Sequence, residues 1–344
     1  MYSFRNDYSE GAHPKVLQTL MDTNLVQTCG YGLDPYCMKA ADLIRDLCQA
    51  PDADVHFLVG GTQTNTIVIA SLLQPYEAVI AAHTGHISTH ETGAIEATGH
   101  KVCTVFSPDG KLTPELVESV VKEHSASNVE HMVLPRLVYI SDTTEIGSLY
   151  SKAELTALRE CCDKYGLYLF VDGARLASAL VSPENDVTLP DLARLTDAFY
   201  IGGTKNGILF GEAVVLRARH EHFRWHIKQR GGMLAKGRLL GVQFQALMED
   251  GLYFENARHA NDLAFRLRDG IAALGYEFSL PSPSNQQFPI LPNTVVEQLW
   301  AKGYEFETGF VPVPDGYTSV RLIASWATPE SAIDAFLKDL ADCK

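Results

Sequence analysis

The sequence predicts an α/β fold with a mostly parallel sheet, followed by a smaller α+β domain at the carboxyl end. Between residues 55 and 216, short apolar segments rich in β-branched and aromatic residues alternate with amphipathic helical segments, which is typical of a parallel sheet. After Asp250 this alternation stops. We therefore expect a large domain at 26–250, a small domain at 251–344, and an N-terminal segment, 1–25, that packs on the small domain.

Seven apolar segments of the large domain are predicted to be strands. They are Val55–Val59, Ala78–Ala82, Lys101–Phe106, Met132–Ser141, Leu167–Val171, Ala198–Ile201 and Ala213–Leu216. Helices are predicted between several of them, at Thr62–Leu73, Thr113–His124, Ser151–Tyr165 and Leu189–Leu195. Thr113 before Pro114 is typical of a helix start, and Ser151 with Glu154 has the spacing of a capping box.

The small domain is predicted from four segments. A long amphipathic helix covers Asn256–Leu274 and ends before Gly275. A turn-rich stretch with four prolines, Leu280–Pro292, follows it. A short strand, Ser319–Ile323, and a last helix, Pro329–Asp342, complete the domain.

Composition excludes several classes of partner. The net charge of -14 argues against binding to nucleic acid or to an anionic membrane, since both are held mainly by clustered Lys and Arg. No stretch approaches the length of a membrane helix, and the N-terminus lacks the pattern of a signal peptide. The seven cysteines are irregularly spaced, which indicates reduced thiols rather than a metal site. We expect a cytoplasmic protein without a metal.

Two predicted strands end in residues that can do chemistry. Asp172 follows the strand Leu167–Val171, and ligands of open α/β sheets bind beyond the carboxyl ends of strands. Lys205 follows the next strand in a glycine-rich turn, where a partly desolvated lysine can lose its proton and form a Schiff base. Taken singly, Asp172 could be a helix N-cap and Lys205 a surface lysine.

Two further segments point to a phosphate and to a ring. Gly61 and Thr62 open a predicted helix, whose free N–H groups attract a phosphate, although any capped helix has a similar sequence. His86 follows the strand Ala78–Ala82, and its imidazole can stack on an aromatic ring or move protons near neutral pH. A lone histidine at this place could equally be a hydrogen-bonded loop residue.

The order of these four signals resembles that of the fold-type I enzymes that use pyridoxal 5'-phosphate (PLP). More specifically, the chain is similar to the threonine aldolase family of β-eliminating lyases over nearly its whole length. The similarity is carried by Arg5-Asn6-Asp7 with Tyr31-Gly32-Leu33-Asp34-Pro35, by Asp172-Gly173-Ala174-Arg175-Leu176, and by Lys205 with Gly207 and a helix-opening Gly231-Gly232-Met233.

The resemblance implies roles around the cofactor. Lys205 is the Schiff-base lysine, Asp172 pairs with the pyridine nitrogen and keeps it protonated, Arg175 lies beside the ring oxygen, and His86 stacks on the ring. The residues that it implies for cofactor binding are Gly61, Thr62, His86, Asp172, Arg175, Thr204, Lys205 and Lys236.

It also implies a substrate site and an assembly. Arg321 grips the substrate carboxylate, as suits its two-pronged guanidinium, with Asn6 at the position of a helping serine. Tyr31 and Lys236 are supplied across a subunit interface, so the resemblance implies a homodimer or homotetramer with its sites at that interface.

The chain departs from the commonest members in two places. Glu145 stands where they have a second histidine near the substrate hydroxyl. The arginine of their Gly-Gly-Gly-Met-Arg segment is absent, and Lys236 is the candidate replacement. Together with Thr204-Lys205-Asn206-Gly207, these features are nearer to the phenylserine aldolase branch.

The expected function is PLP-dependent cleavage of a β-hydroxy-α-amino acid, of the L-threonine, L-allo-threonine or phenylserine type, to glycine and an aldehyde. Lys205, His86 and Glu145 are the predicted catalytic residues, with His86 the first candidate for the base and Glu145 the second. The alternatives are another PLP-dependent β-eliminating lyase or aminotransferase acting on a small amino acid and, more remotely, a non-catalytic PLP-binding protein.

Overall fold

The computed structural model describes residues 2–125 and 129–343, and its large domain contains a seven-stranded sheet. The strands are β1 (Asp54–Leu58), β2 (Glu77–Ala82), β3 (Val102–Val105), β4 (Leu134–Ser141), β5 (Tyr168–Asp172), β6 (Ala198–Gly202) and β7 (Glu212–Leu216). Their order across the sheet is β1-β7-β6-β5-β4-β2-β3. Within this sheet β7 runs antiparallel to both of its neighbours, and the remaining pairs are parallel. The predicted α/β class is confirmed.

Helices cover both faces of this sheet. They are α1 (Pro14–Thr23), α2 (Pro35–Cys48), α3 (Gly61–Leu72), α4 (His86–Thr89), α5 (Pro114–His124), α6 (Lys152–Tyr165), α7 (Leu176–Leu180), α8 (Leu189–Leu195), α9 (Phe223–Gln229) and α10 (Arg238–Met248). The predicted caps are present: Thr113 accepts from a backbone N–H at the start of α5, and Ser151 and Glu154 form a capping box on α6. Each cap satisfies backbone donors that the first helical turn leaves free.

The central strands are mostly apolar because most of their residues are buried on both faces. On β4, Val138 and Ile140 join the core under one helical layer, whereas Leu137 and Tyr139 join the core under the other. Period-two alternation sends neighbouring side chains to opposite faces, so a strand between two helical layers needs apolar residues at every position. Burial of each such side chain contributes about 1.5–3 kcal/mol.

The small domain is a second sheet with helices packed on it. Its elements are α11 (Leu252–Ala273), β8 (Glu277–Phe278), β9 (Gln286–Gln287), β10 (Pro289–Pro292), α12 (Asn293–Ala301), β11 (Glu307–Thr308), β12 (Tyr317–Ile323) and α13 (Glu330–Asp342). The main strand order is β11-β12-β10-β8, and β9 also pairs with β12.

Three sequence interpretations need correction. The stretch Leu280–Pro292 is not turns alone, because 286–292 contributes two short strands that pair with β12. The helix predicted at Asn256–Leu274 begins earlier, at Leu252. Gly231-Gly232-Met233 does not open a helix: it follows the end of α9, and α10 begins only at Arg238.

The N-terminal segment contacts both domains. Phe4 lies in the core of the small domain, and Ser3 bridges to Glu305. Ala12 and Val16 lie in the core of the large domain. The segment therefore crosses from one core to the other. Within 2–125 and 129–343, we find no helix with the length and apolar character that crossing a bilayer requires.

Candidate active site

The candidate site lies where the carboxyl ends of several strands meet. The strands β2, β4, β5 and β6 are parallel and adjacent, so the residues that follow them meet at one edge of the sheet. His86, Glu145, Asp172 and Lys205 each stand at or shortly after one of these ends. The parallel topology therefore brings together four of the residues singled out from the sequence.

Asp172 is the buried centre of this edge. One of its carboxylate oxygens accepts from the Tyr139 hydroxyl at 2.6 Å and the Asn65 amide at 3.0 Å, and the other accepts from the Tyr200 hydroxyl and the Ala174 N–H. Burial alone would raise the pKa of Asp172, but the charge of His86 and these hydrogen bonds hold it below its ordinary value. Asp172 is therefore ionised at neutral pH. Asp172 is not the helix N-cap considered from the sequence, because α7 begins at Leu176 with Arg175 as its N-cap, and the bond to Ala174 lies in the turn before that helix.

Gly173 and Gly207 are required by close contacts beside the predicted cofactor residues. A Cβ at Gly173 would lie 1.8 Å from the Tyr200 carbonyl oxygen. At Gly207 the φ is +96°, and a Cβ would lie 2.5 Å from the Asn256 amide. These positions accept only glycine without rearrangement of the backbone.

His86 is held by two carboxylates. Its Nδ1 lies 2.8 Å from Glu91 Oε1, and its backbone N–H donates to Glu145 Oε1 at 2.8 Å. Burial alone would lower the pKa of His86, but the hydrogen bond that it donates to Glu91 and the charge of Asp172 raise it above its ordinary value. Glu145 also accepts from Ser141 at 2.7 Å, and burial raises its pKa. Both candidate bases thus adjoin one another.

A second imidazole, that of His90, lies beside His86. Its ring stacks on that of His86, with centroids 5.5 Å apart. Burial and the charge of His86 lower the pKa of His90. Arg321 and Lys205 contribute in the same direction, so both cations lie within electrostatic range of this ring.

Lys205 lies in a largely desolvated position. Burial and the charge of Arg175 lower the pKa of Lys205, which favours the uncharged, nucleophilic amine. A carboxylate not singled out from the sequence, Glu212, lies at the start of β7 opposite Gly202 and accepts from the Gly203 N–H at 3.1 Å. Burial raises the pKa of Glu212 to about 8.

The start of α3 offers backbone donors at the same edge. Its N-cap is Gly60, which provides no side-chain hydrogen bond, so the first N–H groups remain available for an anion. A Cβ at Gly61 would lie 3.1 Å from the Tyr200 hydroxyl, and Thr62 is exposed. The Thr204 hydroxyl accepts from the Gly211 N–H at 2.9 Å, so it stabilises its own loop.

Arg175 is paired with the N-terminal segment. Its guanidinium donates to both oxygens of the buried Asp7, at 2.8 and 3.0 Å, and the Asn285 amide donates to Asp7 at 2.9 Å. Asp7 therefore joins the N-terminal segment to both domains. Asn6, the predicted carboxylate helper, uses its side-chain oxygen to accept from Tyr8 N–H and Ser9 Oγ.

Arg321 lies on β12 and already has a carboxylate partner. Its guanidinium donates to Glu307 and lies 4.6 Å from the centroid of the Phe310 ring. Its Nε is buried and has no hydrogen-bond partner among the described residues. The side chain is therefore held in place with part of its donor fork free.

Tyr31 and Lys236 lie apart from this cluster within the chain. The Tyr31 backbone contacts Ala235 and Arg224, and the Lys228 ammonium lies 5.4 Å from the centroid of its ring. Both Tyr31 and Lys236 are exposed. They line two neighbouring surface cavities of about 320 and 410 Å³ rather than the edge that holds Lys205.

Sequence reasoning assigned no role to several residues of the site. Glu91 and Asn65 lie within segments that were singled out for His86 and Gly61, and Asp7 lies within a segment that carries the family resemblance. For these three residues, the available signal was a carboxylate or amide side chain close in sequence to a residue predicted to lie in the site. Glu212 had no such signal, because it is the first residue of an otherwise ordinary apolar strand.

The fold and the arrangement of these residues define an α/β enzyme of the fold-type I class. The chain belongs to the Beta-eliminating lyase family, whose model matches residues 7–291. It is 33% identical to the low specificity L-threonine aldolase of Pseudomonas sp. strain NCIMB 10558, over 98% of this chain and 96% of that protein. It is 30% identical, over the same shares, to the low specificity L-threonine aldolase of Pseudomonas aeruginosa.

Solved structures agree with this placement. A Leishmania major threonine aldolase has 53% sequence identity and a TM-score of 0.96, with 99% of each chain covered. Aspartate aminotransferase of Thermus thermophilus has a TM-score of 0.70 at 17% identity, over 99% of this chain and 91% of that chain, and so shares the fold alone.

Proposed function

We propose that the protein is a PLP-dependent aldolase that cleaves a β-hydroxy-α-amino acid of the threonine type to glycine and an aldehyde. The observation that carries this proposal is the meeting of Asp172, Lys205 and His86 at one edge of the sheet, with Arg321 in electrostatic range. The full-length similarity to threonine aldolases supports it.

The residues fit PLP by their chemistry. Asp172 stays ionised, which suits a protonated ring nitrogen, and Lys205 has a lowered pKa, which suits an amine that must attack a carbonyl. The uncapped start of α3 suits a phosphate. When bound, PLP supplies an acceptor for the electrons released at the substrate Cα.

Side chains of the protein bind the substrate and transfer its protons. Arg321 binds the substrate carboxylate and so orients the amino acid. The β-hydroxyl proton moves to His86 Nε2, the Cα–Cβ bond breaks, the aldehyde leaves, and Cα takes up a proton to give glycine. Glu145 is the second candidate for the base, because it adjoins His86 and has a raised pKa.

We further propose that the active form is a homo-oligomer in which a second copy supplies Tyr31 and Lys236. Seven large apolar side chains of the segment 17–38, which includes Tyr31, are exposed: Leu17, Met21, Leu25, Val26, Tyr31, Leu33 and Met38. Exposed apolar surface of this kind marks sites of association, and a second copy would cover it.

The proposal is tested by assaying glycine and aldehyde release from L-threonine, L-allo-threonine and phenylserine with the PLP-loaded protein. We expect release from at least one of them, and the order of rates identifies the substrate branch. Lys205→Ala should lower the rate at least about 100-fold, whereas the exposed Lys338→Ala should not change it. Formation of a keto acid without glycine would instead indicate an aminotransferase.

A further inference from the structure

The buried carboxylate of Glu91 links His86 to Asp172, the two residues assigned to the face and the nitrogen of the cofactor ring. Glu91 has a fully buried side chain, and its Oε1 accepts from the Asn65 amide at 2.8 Å while lying 2.8 Å from His86 Nδ1. The same Asn65 nitrogen donates to Asp172 at 3.0 Å. A continuous path of hydrogen bonds thus runs from His86 to Asp172.

The hydrogen bond at Nδ1 decides which nitrogen of His86 can accept a proton. A carboxylate can only accept, so the proton of neutral His86 lies on Nδ1 and the lone pair lies on Nε2. Among the described residues, Nδ1 is the ring nitrogen that has a hydrogen-bond partner. In other catalytic sites where a histidine is hydrogen-bonded to a carboxylate, the carboxylate fixes the tautomer in the same way. It also stabilises the imidazolium cation that forms when the histidine takes up a proton.

We propose that Glu91 is a positioning residue that holds His86 as the Nδ1–H tautomer, so that Nε2 takes the β-hydroxyl proton of the substrate. This inference rests on the proposed aldolase function for its last step. It also favours His86 over Glu145 as the base, because Oε1 of Glu145 already accepts from the His86 backbone N–H and from Ser141, whereas the hydrogen bond to Glu91 leaves the lone pair of His86 on Nε2.

The charges around His86 come from several elements. On its own segment lie Glu91 and His90, and the groups that face it from other strand ends are Asp172, Lys205 and Glu145. Glu91 and Asp172 raise the pKa of His86, and Lys205 lowers it. Loss of the Glu91 charge should therefore lower the pKa of His86.

Glu91→Gln removes that charge with little change of shape. The Asn65 amide donates to Glu91 Oε1, so the glutamine must keep its oxygen there, since the opposite orientation would set two donors against each other. The tautomer should be retained in this variant. Glu91→Leu removes the hydrogen-bond acceptor as well, so neutral His86 should no longer be held as the Nδ1–H tautomer. The exposed Glu96→Gln, five residues further along, is the matched control.

The test combines kinetics with ¹⁵N NMR of histidine-labelled protein, in which His86→Gln identifies the His86 signals. We expect the acid limb of the kcat–pH profile and the His86 titration to move together to lower pH in Glu91→Gln. In Glu91→Leu we expect kcat to fall at least about tenfold, with the Nε2–H tautomer appearing in the spectrum. Glu96→Gln should match wild type in every measurement.

An unchanged pH profile and an unchanged His86 titration in Glu91→Gln would overturn the inference. So would a loss of kcat in both variants with the His86 tautomer and titration unaltered, because Glu91 would then serve only the packing of Asn65. If wild type releases glycine from none of the three amino acids, the proposed function fails. The NMR experiment would still show whether Glu91 sets the state of His86.

Discussion

Arg321 and Glu307 face each other across the pair of strands β11 and β12 and form an ion pair. The arginine side chain is mostly buried, whereas the Glu307 side chain is 41% exposed. Glu307 therefore occupies one side of the guanidinium that we assign to the substrate carboxylate, and the two carboxylates compete for the same charge.

Glu307→Gln should lower the KM for the amino acid about two- to fivefold, the range expected when a partly exposed ion pair no longer competes. The Phe310 ring should keep Arg321 in place, so kcat should change little. Steady-state kinetics measures both. Arg321→Lys is the opposing variant and should raise KM at least about tenfold, because the two-pronged contact is lost. A higher KM in Glu307→Gln would show that Glu307 positions Arg321 instead.

Asp7→Asn should destabilise the protein by about 3 kcal/mol at pH 7, because a buried arginine loses its charged partner. Burial alone would raise the pKa of Asp7, but Arg175 and Lys205 lower it, so its stabilising contribution is present above the ordinary range of an aspartate. That contribution is lost as pH falls through the lowered value. Urea unfolding at pH 7 and pH 3 should therefore show a smaller difference between variant and wild type in acid. The exposed Asp22→Asn should have no such effect.

Asp142→Asn should stabilise the protein at pH 8 by about 2–4 kcal/mol. Burial raises the pKa of Asp142 to about 7, so between its ordinary value and pH 7 the folded form holds a proton that the unfolded form releases. The free energy of unfolding of the wild type therefore falls as pH rises through this interval, and the full destabilisation by the buried Asp142 charge is present above it. Unfolding free energies measured from pH 4 to pH 8 should fall less in the variant. Equal slopes in Asp142→Asn and the exposed Asp262→Asn would contradict this assignment.

Leu25→Glu should reduce the size of the assembly and, with it, the activity. Leu25 is 91% exposed in the segment 17–38 that we propose is covered by a second copy, and a buried charge at an interface is costly. Sedimentation velocity should show a smaller species, and activity should fall because neither copy would supply Tyr31 and Lys236 to the other. Tyr76→Glu places the same charge at another exposed large apolar position, outside the segment 17–38, and should leave the assembly intact. Full activity in a monomeric Leu25→Glu would exclude a shared site.

Much of the fold follows from local patterns. Strands buried on both faces require continuous apolar segments, and the seven predicted strands were recovered with their ends shifted by one or two residues. The parallel alternation also brought Asp172 and Lys205 to one edge, since residues that follow adjacent parallel strands meet there. The short strands β9 and β10 were missed because prolines and polar residues in that stretch favour turns, and pairing with β12 overrode this local preference.

The sequence by itself determined the α/β class, the existence and approximate positions of the large-domain strands, and the residue types available for chemistry, because these depend on periodicity and on neighbours along the chain. Only the tertiary structure decided which of these residues contact one another. Asp7 and Arg175 are 168 residues apart, Asn65 and Asp172 are 107 apart, and Glu307 meets Arg321 through the register of two strands. Such contacts depend on which elements pack together and on the burial that results. That burial is also what shifts the pKa values of Asp172, His86 and Lys205, on which the proposed chemistry depends.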